Sequence, residues 1–161
     1  MLSTDDFKKL LYSMQRYCVL GERCRRDIKQ KLEKKEVDEI AITKIIEALE
    51  YEKFVDEKRY ASAFTNDKFK FNHWGRLKIK SELFVKELPY PFILDGLKRI
   101  NAYEYRKKIF YLAEKKLKHT QADNVYTLRD KVARHLYSKG FEPDIFWPLL
   151  KELITDNHFQ D

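Results

Sequence analysis

Between Lys68 and Lys80 the chain interleaves Lys68, Lys70, Arg76, Lys78 and Lys80 with Phe69, Phe71, His73 and Trp74. Cations set among aromatic rings suit one chemistry in particular. Ammonium and guanidinium groups meet phosphates while a ring stacks on an unpaired base. Phe69 and Phe71 read more readily as plugs of a core, whereas Trp74, beside Gly75, suits a surface contact or a core position equally well. Residues able to do covalent chemistry do not gather. The glycines stand isolated at 21, 75, 96 and 140, which provides no phosphate loop. His73, His119, His135 and His158 fall one to a region, without the His-x-x-x-His or Cys-x-x-Cys spacing of a metal site. Cys18 belongs to an apolar stripe and reads as core. Cys24, between Arg23 and Arg25, reads as a surface thiol. Carboxylate pairs such as Asp5–Asp6 and Asp56–Glu57 lack the isolation of catalytic acids. The residues thus predict a binding protein that is not an enzyme, with no cofactor and no metal.

The charge that such binding needs is unevenly placed. Residues 22–35 hold 7 basic and 3 acidic groups, 36–57 hold 2 and 8, 58–80 hold 7 and 1, and 101–119 hold 6 and 2. A surplus of this kind exceeds what solubility requires. The candidate basic surface is therefore Arg23, Arg25, Arg26, Lys29, Lys68, Lys70, Arg76, Lys78, Lys80, Arg106, Lys107, Lys115 and Lys118, with Trp74 as its aromatic contact. Lined up, these blocks would make a stripe facing a polyanion or an acidic protein groove.

The elements that must carry these residues are helical. A chain of 161 residues with 14% aromatics has the means to build a core, and only 4 Gly and 4 Pro leave little material for sandwiches, barrels or glycine-dependent nucleotide folds. Phe7, Leu10, Leu11, Met14, Tyr17 and Cys18 mark one helical stripe, with Gly21 placed to end it in a left-handed conformation. Ile28 and Leu32 mark a second helix, and Ile42, Ile45, Ile46 and Leu49 a third that Asp38 should cap. No apolar run is long enough to span a membrane, Asp5 and Asp6 occupy the place of a secretion signal, and two cysteines fit a reducing cytosol. A cytoplasmic location is expected.

The three-helix pattern repeats. Ile28, Leu32, Lys35, Val37, Ile42, Ile46 and Leu49 recur at the same offsets as Ile79, Leu83, Lys86, Leu88, Ile93, Leu97 and Ile100, and again as Val132, Leu136, Lys139, Phe141, Phe146, Leu150 and Leu153. Stripes at Tyr60, Ala63 and Phe64 and at Ile109, Phe110, Ala113 and Leu117 supply the preceding helices. The expected architecture is all-α: three tandem three-helix repeats over 1–54, 55–100 and 101–161, stacked as an elongated array. Pro89 and Pro91 mark the start of the second repeat's last helix, and Gly140 with Pro143 the same boundary in the third. Pro148 falls either in the first turn of its helix or at a kink.

With these features in hand, the sequence resembles the RecX family, bacterial regulators of the recombinase RecA. Phe54-Val55-Asp56-Glu57-Lys58-Arg59-Tyr60-Ala61 is similar to the family's Phe-x-Asp-Asp-x-Arg-[Phe/Tyr]-Ala signature. Gly75-Arg76-Leu77-Lys78-Ile79 followed by Glu82-Leu83 resembles its Gly-x-x-x-Ile-x-x-Glu-Leu run, and Tyr12–Leu32, with Arg26-Asp27-Ile28, resembles its opening. The likeness spans roughly residues 9–157. It departs from the family pattern at Lys35-Glu36 and Lys86-Glu87, where members carry Lys-Gly; Lys139-Gly140 keeps it. Those two turns must close without glycine, at a cost if they need a left-handed residue.

The resemblance implies a curved array, monomeric, that lies in the groove of the RecA–single-stranded DNA filament. It implies inhibition of ATP hydrolysis, strand exchange and co-protease activity, with auxiliary affinity for single- or double-stranded DNA. A stand-alone DNA-binding protein of helix-turn-helix type is the alternative, since Arg23, Arg25, Arg26, Lys29 and Lys31 would make a basic second helix. Against it, Gln30 is that helix's single base-reading amide.

Overall fold

The structure, a computed structural model, describes residues 2–159. Met1, Gln160 and Asp161, at the outer bounds of the first and third expected repeats, lie outside the described residues. Among the described residues there are nine α-helices and no strand: α1 Thr4–Val19, α2 Arg25–Glu33, α3 Glu39–Tyr51, α4 Glu57–Lys70, α5 Arg76–Val85, α6 Tyr90–Lys98, α7 Ala102–Leu117, α8 Val125–Ser138 and α9 Pro143–Leu153, followed by a 3-10 turn at Asp156–Phe159.

Capping chemistry sets several of the starts. Ser3, Asp38, Asn101 and Asn124 each accept a hydrogen bond from the backbone N–H three residues on, at the heads of α1, α3, α7 and α8. Asp56 does the same for α4 through Arg59 N–H at 3.0 Å. Pro143 opens α9, where the missing N–H costs nothing, and Pro148 lies inside that helix.

The repeat is visible in the backbone itself. Glu36, Glu87 and Gly140 occupy the same offset, and all three are left-handed, with φ of 59°, 61° and 94°. Each closes the same turn. Val37 N–H donates to Leu32 O, Leu88 N–H to Leu83 O and Phe141 N–H to Leu136 O, the wide bond of a helix-ending Schellman motif. The register residues Ile28, Ile79 and Val132, with Leu32, Leu83 and Leu136, are buried in every copy. The chain is an all-α array of three-helix repeats.

Two compact units emerge from this array: Met1–Phe64 with Leu83–Gly96, and Thr65–Glu82 with Leu97–Asp161. The helices of the middle repeat, α4, α5 and α6, are thus divided between the units. In the first unit α3 packs on α1 and α2, and its core gathers Met14, Ile28, Leu32, Ile42, Ile45, Leu49 and Val55. In the second unit α8 packs on α7 and α9 around fully buried Tyr105, Ile109, Phe141 and Phe146.

Several expectations need correction. Gly21 is not left-handed; α1 ends at Val19 with Leu20 in the right-handed region, so this turn makes no demand on glycine. Cys24 is not a surface thiol. It caps α2 and is wholly buried, and its backbone N–H donates to the Asp27 carboxylate at 3.1 Å. Phe69 is buried as expected, but Phe71 is 75% exposed: α4 ends at Lys70 and the chain turns Phe71 out to solvent. Cys18 is half-buried at the edge of the first core.

Candidate nucleic-acid and protein interface

The candidate basic residues divide between the units. In the first unit each has a partner. Arg23 lies over the Tyr17 ring at 3.9 Å and donates to Tyr17 O. Arg25 pairs with Glu50 at 2.9 Å, Arg26 with Glu87 at 3.1 Å, and Lys29 with Glu39 at 3.4 Å. Beneath them the Lys86 ammonium donates to Asp27 at 2.7 Å. Burial pushes the Asp27 carboxyl up, but Lys86 and the Cys24 N–H outweigh it and hold the group below the ordinary carboxylate range.

In the second unit the cations meet rings more often than carboxylates. Trp74, half-buried, is flanked by Lys68 Nζ at 4.9 Å and Lys78 Nζ at 4.6 Å from its centroid. Both lysines reach it because Lys68 lies in the last turn of α4 and Lys78 in the first turn of α5, on either side of the loop that holds the ring. Lys70 is exposed and Lys80 half-buried. On α7, Arg106, Lys107 and Lys115 are exposed, as is Lys118, which caps the helix's C-terminus. Lys107 lies over Tyr103 at 5.3 Å and Lys115 over Tyr111 at 6.0 Å. Tyr103, Lys107, Tyr111 and Lys115 follow one another at intervals of four, the spacing that sets them on one helical face. That spacing was the signal for Tyr103 and Tyr111, which sequence reasoning missed. Ammonium groups held against the exposed Tyr103 and Tyr111 keep charge and aromatic surface together, a pairing that suits phosphates and bases.

Arg76 is different. Its guanidinium stacks on Tyr105 at 3.9 Å and pairs with Glu142 at 3.3 Å, while its backbone N–H donates to Tyr105 Oη at 3.0 Å. Tyr105 Oη in turn donates to Glu142. Burial, then this carboxylate, push the Tyr105 phenol far above its ordinary range. Around Arg76, Gly75 N–H donates to Lys139 O at 2.8 Å and Leu77 N–H to Gly140 O at 2.9 Å. Three successive donors at the head of α5 thus find partners on α7 and at the end of α8. A Cβ on Gly75 would lie 2.3 Å from Gly140 O, so only glycine allows this approach.

The signature residues near Phe54 are structural as well. Arg59 donates to the carbonyls of Lys53 and Phe54 and pairs with Glu22 at 2.8 Å, holding the end of α3. Val55, Tyr60 and Ala61 are buried. Among the described residues no group of three or more His, Cys, Asp or Glu could hold a metal ion. No helix among them is long and apolar enough to cross a membrane.

Two family models match this chain: the second three-helix domain of RecX over residues 56–90 and the third over residues 103–150, together just over half its length. The chain belongs to the RecX family. It is 34% identical over 132 residues to a regulatory protein RecX of Clostridium botulinum (strain Eklund 17B), covering 81% of this chain and 61% of that protein. Against RecX of Oceanobacillus iheyensis it is 29% identical over 133 residues, covering 83% and 49%. Against RecX of Clostridium perfringens (strain 13) it is 29% identical, covering 100% and 76%. The chain therefore spans about half to three-fifths of the first relatives' length. A crystal structure of RecX from Lactobacillus salivarius superposes with a TM-score of 0.81 at 25% identity, covering 94% of this chain and 98% of that one. Another, of regulatory protein RecX, gives 0.83 at 20% identity, covering 94% and 80%. The RecX match over 56–90 includes both the Arg59 clamp and the Gly75–Arg76 segment.

Proposed function

We propose that this chain binds in the groove of the RecA–single-stranded DNA filament and inhibits RecA ATPase, strand exchange and co-protease activity. It acts as a binding protein in the bacterial cytosol, not as an enzyme, and as a monomer whose repeats at 1–54, 55–100 and 101–161 each add contacts. Membership of the RecX family supports this reading. The observation that carries it is the partition of charge. The first compact unit holds 15 basic and 15 acidic residues, while the second holds 18 and 11, so the whole surplus of seven lies in one unit.

A neutral unit and a cationic one suit a composite target of protein and nucleic acid. The cationic unit, with Trp74 between Lys68 and Lys78, would supply the auxiliary contact to DNA. Its electrostatics would steer docking, and several weak contacts would add through effective concentration. The test is the single-stranded-DNA-dependent ATPase of the cognate RecA, titrated with this protein. Inhibition at or below equimolar ratio is the expected result. Unchanged ATPase together with tight binding to naked DNA would instead select the stand-alone DNA-binding alternative.

A further inference from the structure

In the second unit, lysines of one sign gather around His73. His73 stands in the loop between α4 and α5, left-handed at φ 57°. Lys108 Nζ of α7 sits 2.8 Å from its Nδ1 and donates to Lys70 O at 3.2 Å. With Lys108 charged, its ammonium donates and Nδ1 accepts, which places the imidazole proton on Nε2. The Tyr111 ring lies 5.7 Å from the imidazole, and Lys115 Nζ lies over that same ring. Lys139 is brought in from the end of α8 by the bond from Gly75, two residues after His73.

Each charge that acts on His73 is positive: Lys108, Lys139 and Lys115. His135 on α8 also faces lysines, Lys116 and Lys139. Burial first, and these cations next, hold both imidazoles below the ordinary histidine range. Glu104 acts on Lys108 as the counter-charge, against burial that lowers the ammonium's pKa. Three lysines, Lys108, Lys115 and Lys139, set around the His73 loop present donors and positive potential, which a tetrahedral oxyanion satisfies.

We propose that His73, Lys108, Lys115 and Lys139 form a site for a phosphate-type oxyanion whose occupancy is coupled to protonation of His73. An anion drawn to the lysines releases the Lys108 ammonium from Nδ1 and turns the neighbouring field from repulsive to attractive. His73 then takes up a proton, and the imidazolium donates to the anion. By linkage, the anion binds more tightly as the pH falls through the imidazole range. This site does not depend on the recombinase reading and is tested without it.

The full chain, with its histidine ring C–H resonances followed by NMR from pH 5 to 8, provides the test. Titrations in sodium chloride and in sodium sulfate at equal ionic strength are compared, sulfate being a dianion throughout. The expected result is a rise in the apparent pKa of His73 by about half a unit or more in sulfate, a roughly threefold preference for the protonated form. His158, bonded to Thr155, serves as the internal reference. In the Lys115→Ala/Lys139→Ala variant, which leaves the Lys108 contact intact, the increment should fall away. Equal His73 pKa values in the two salts, or equal movement of His73 and His158, would overturn the proposal. Repeating the titration with inorganic phosphate and with a short oligothymidylate identifies the natural source: a response to the oligomer assigns a nucleic-acid backbone, and one to phosphate alone assigns a free anion.

Discussion

Arg76 and Lys78 show how two basic residues do opposite work within a few positions. Lys78 holds its ammonium over an indole near solvent, whereas Arg76 is fixed by Tyr105 and Glu142, of which Glu142 is 19% exposed. Replacing Glu142 with Ala strands the guanidinium and the Tyr105 hydroxyl, and should lower stability by about 2 kcal/mol, read from the urea midpoint. Lys78→Ala should leave that midpoint within about 0.5 kcal/mol. The tyrosines predict an alkaline limit. An unfolded phenol titrates near 10, whereas burial, with Asp27 and Cys24 adding to it, pushes Tyr60 up to about 12. Between those values the native state keeps a proton that the unfolded state loses. Stability is therefore intact below about pH 10 and falls as the pH climbs through the folded values. Phenolate absorbance should show two late-titrating tyrosines, Tyr60 and Tyr105, appearing together with loss of helicity. Cys24 is pushed up to about 11, mainly by burial. A thiol reagent at pH 8 should therefore modify Cys18 alone until denaturant is added; modification of both thiols in the native protein would refute the buried placement.

At the scale of the element, the helix-ending turns carry the repeat. Glu36 and Glu87 occupy a left-handed position that costs an L side chain about 1 kcal/mol, and Gly140 occupies it freely. Glu36→Gly should accordingly raise stability by up to about 1 kcal/mol, with the urea slope unchanged. Gly140→Ala should be strongly destabilising, because φ is 94° and the new Cβ would meet Lys78 Cβ at 2.4 Å. The register set Glu36, Glu87 and Gly140 at one offset after Leu32, Leu83 and Leu136, and the structure decided that this position is left-handed in all three. Gly21 misled because a glycine after an apolar stripe looks the same whether or not its φ is positive. Cys24 misled for a related reason. A thiol between two arginines looks exposed in sequence, but those arginines diverge to Tyr17 and Glu50 while the N-cap position turns the sulfur inward.

For the whole molecule, the sequence blocks and the compact units apportion charge differently. Blocks 22–35, 58–80 and 101–119, if lined up, would form one stripe. The ion pairs of Arg25, Arg26 and Lys29 neutralise the first of them, and the surplus is left in the second unit. Lys78→Glu/Lys80→Glu should thus weaken the proposed filament inhibition several-fold with unchanged circular dichroism, and the proposed binding to single-stranded DNA should lose affinity steeply with added salt. Arg25→Glu/Lys29→Glu, in the neutral unit, should change salt dependence far less. Equal effects from the two double variants would restore the continuous stripe.

The sequence by itself determined the helices, the Asp38 cap and the threefold register, because these rest on contacts a few residues apart: a 3.6-residue period and an Asp38 side chain reaching Ala41. Only the tertiary structure decided which charges remain available. Asp27 finds Lys86 59 residues away and Arg76 finds Glu142 66 residues away. Coulomb attraction and desolvation act through space between side chains that no local pattern brings together, so the residues that neutralise a basic block became known only when the chain was folded.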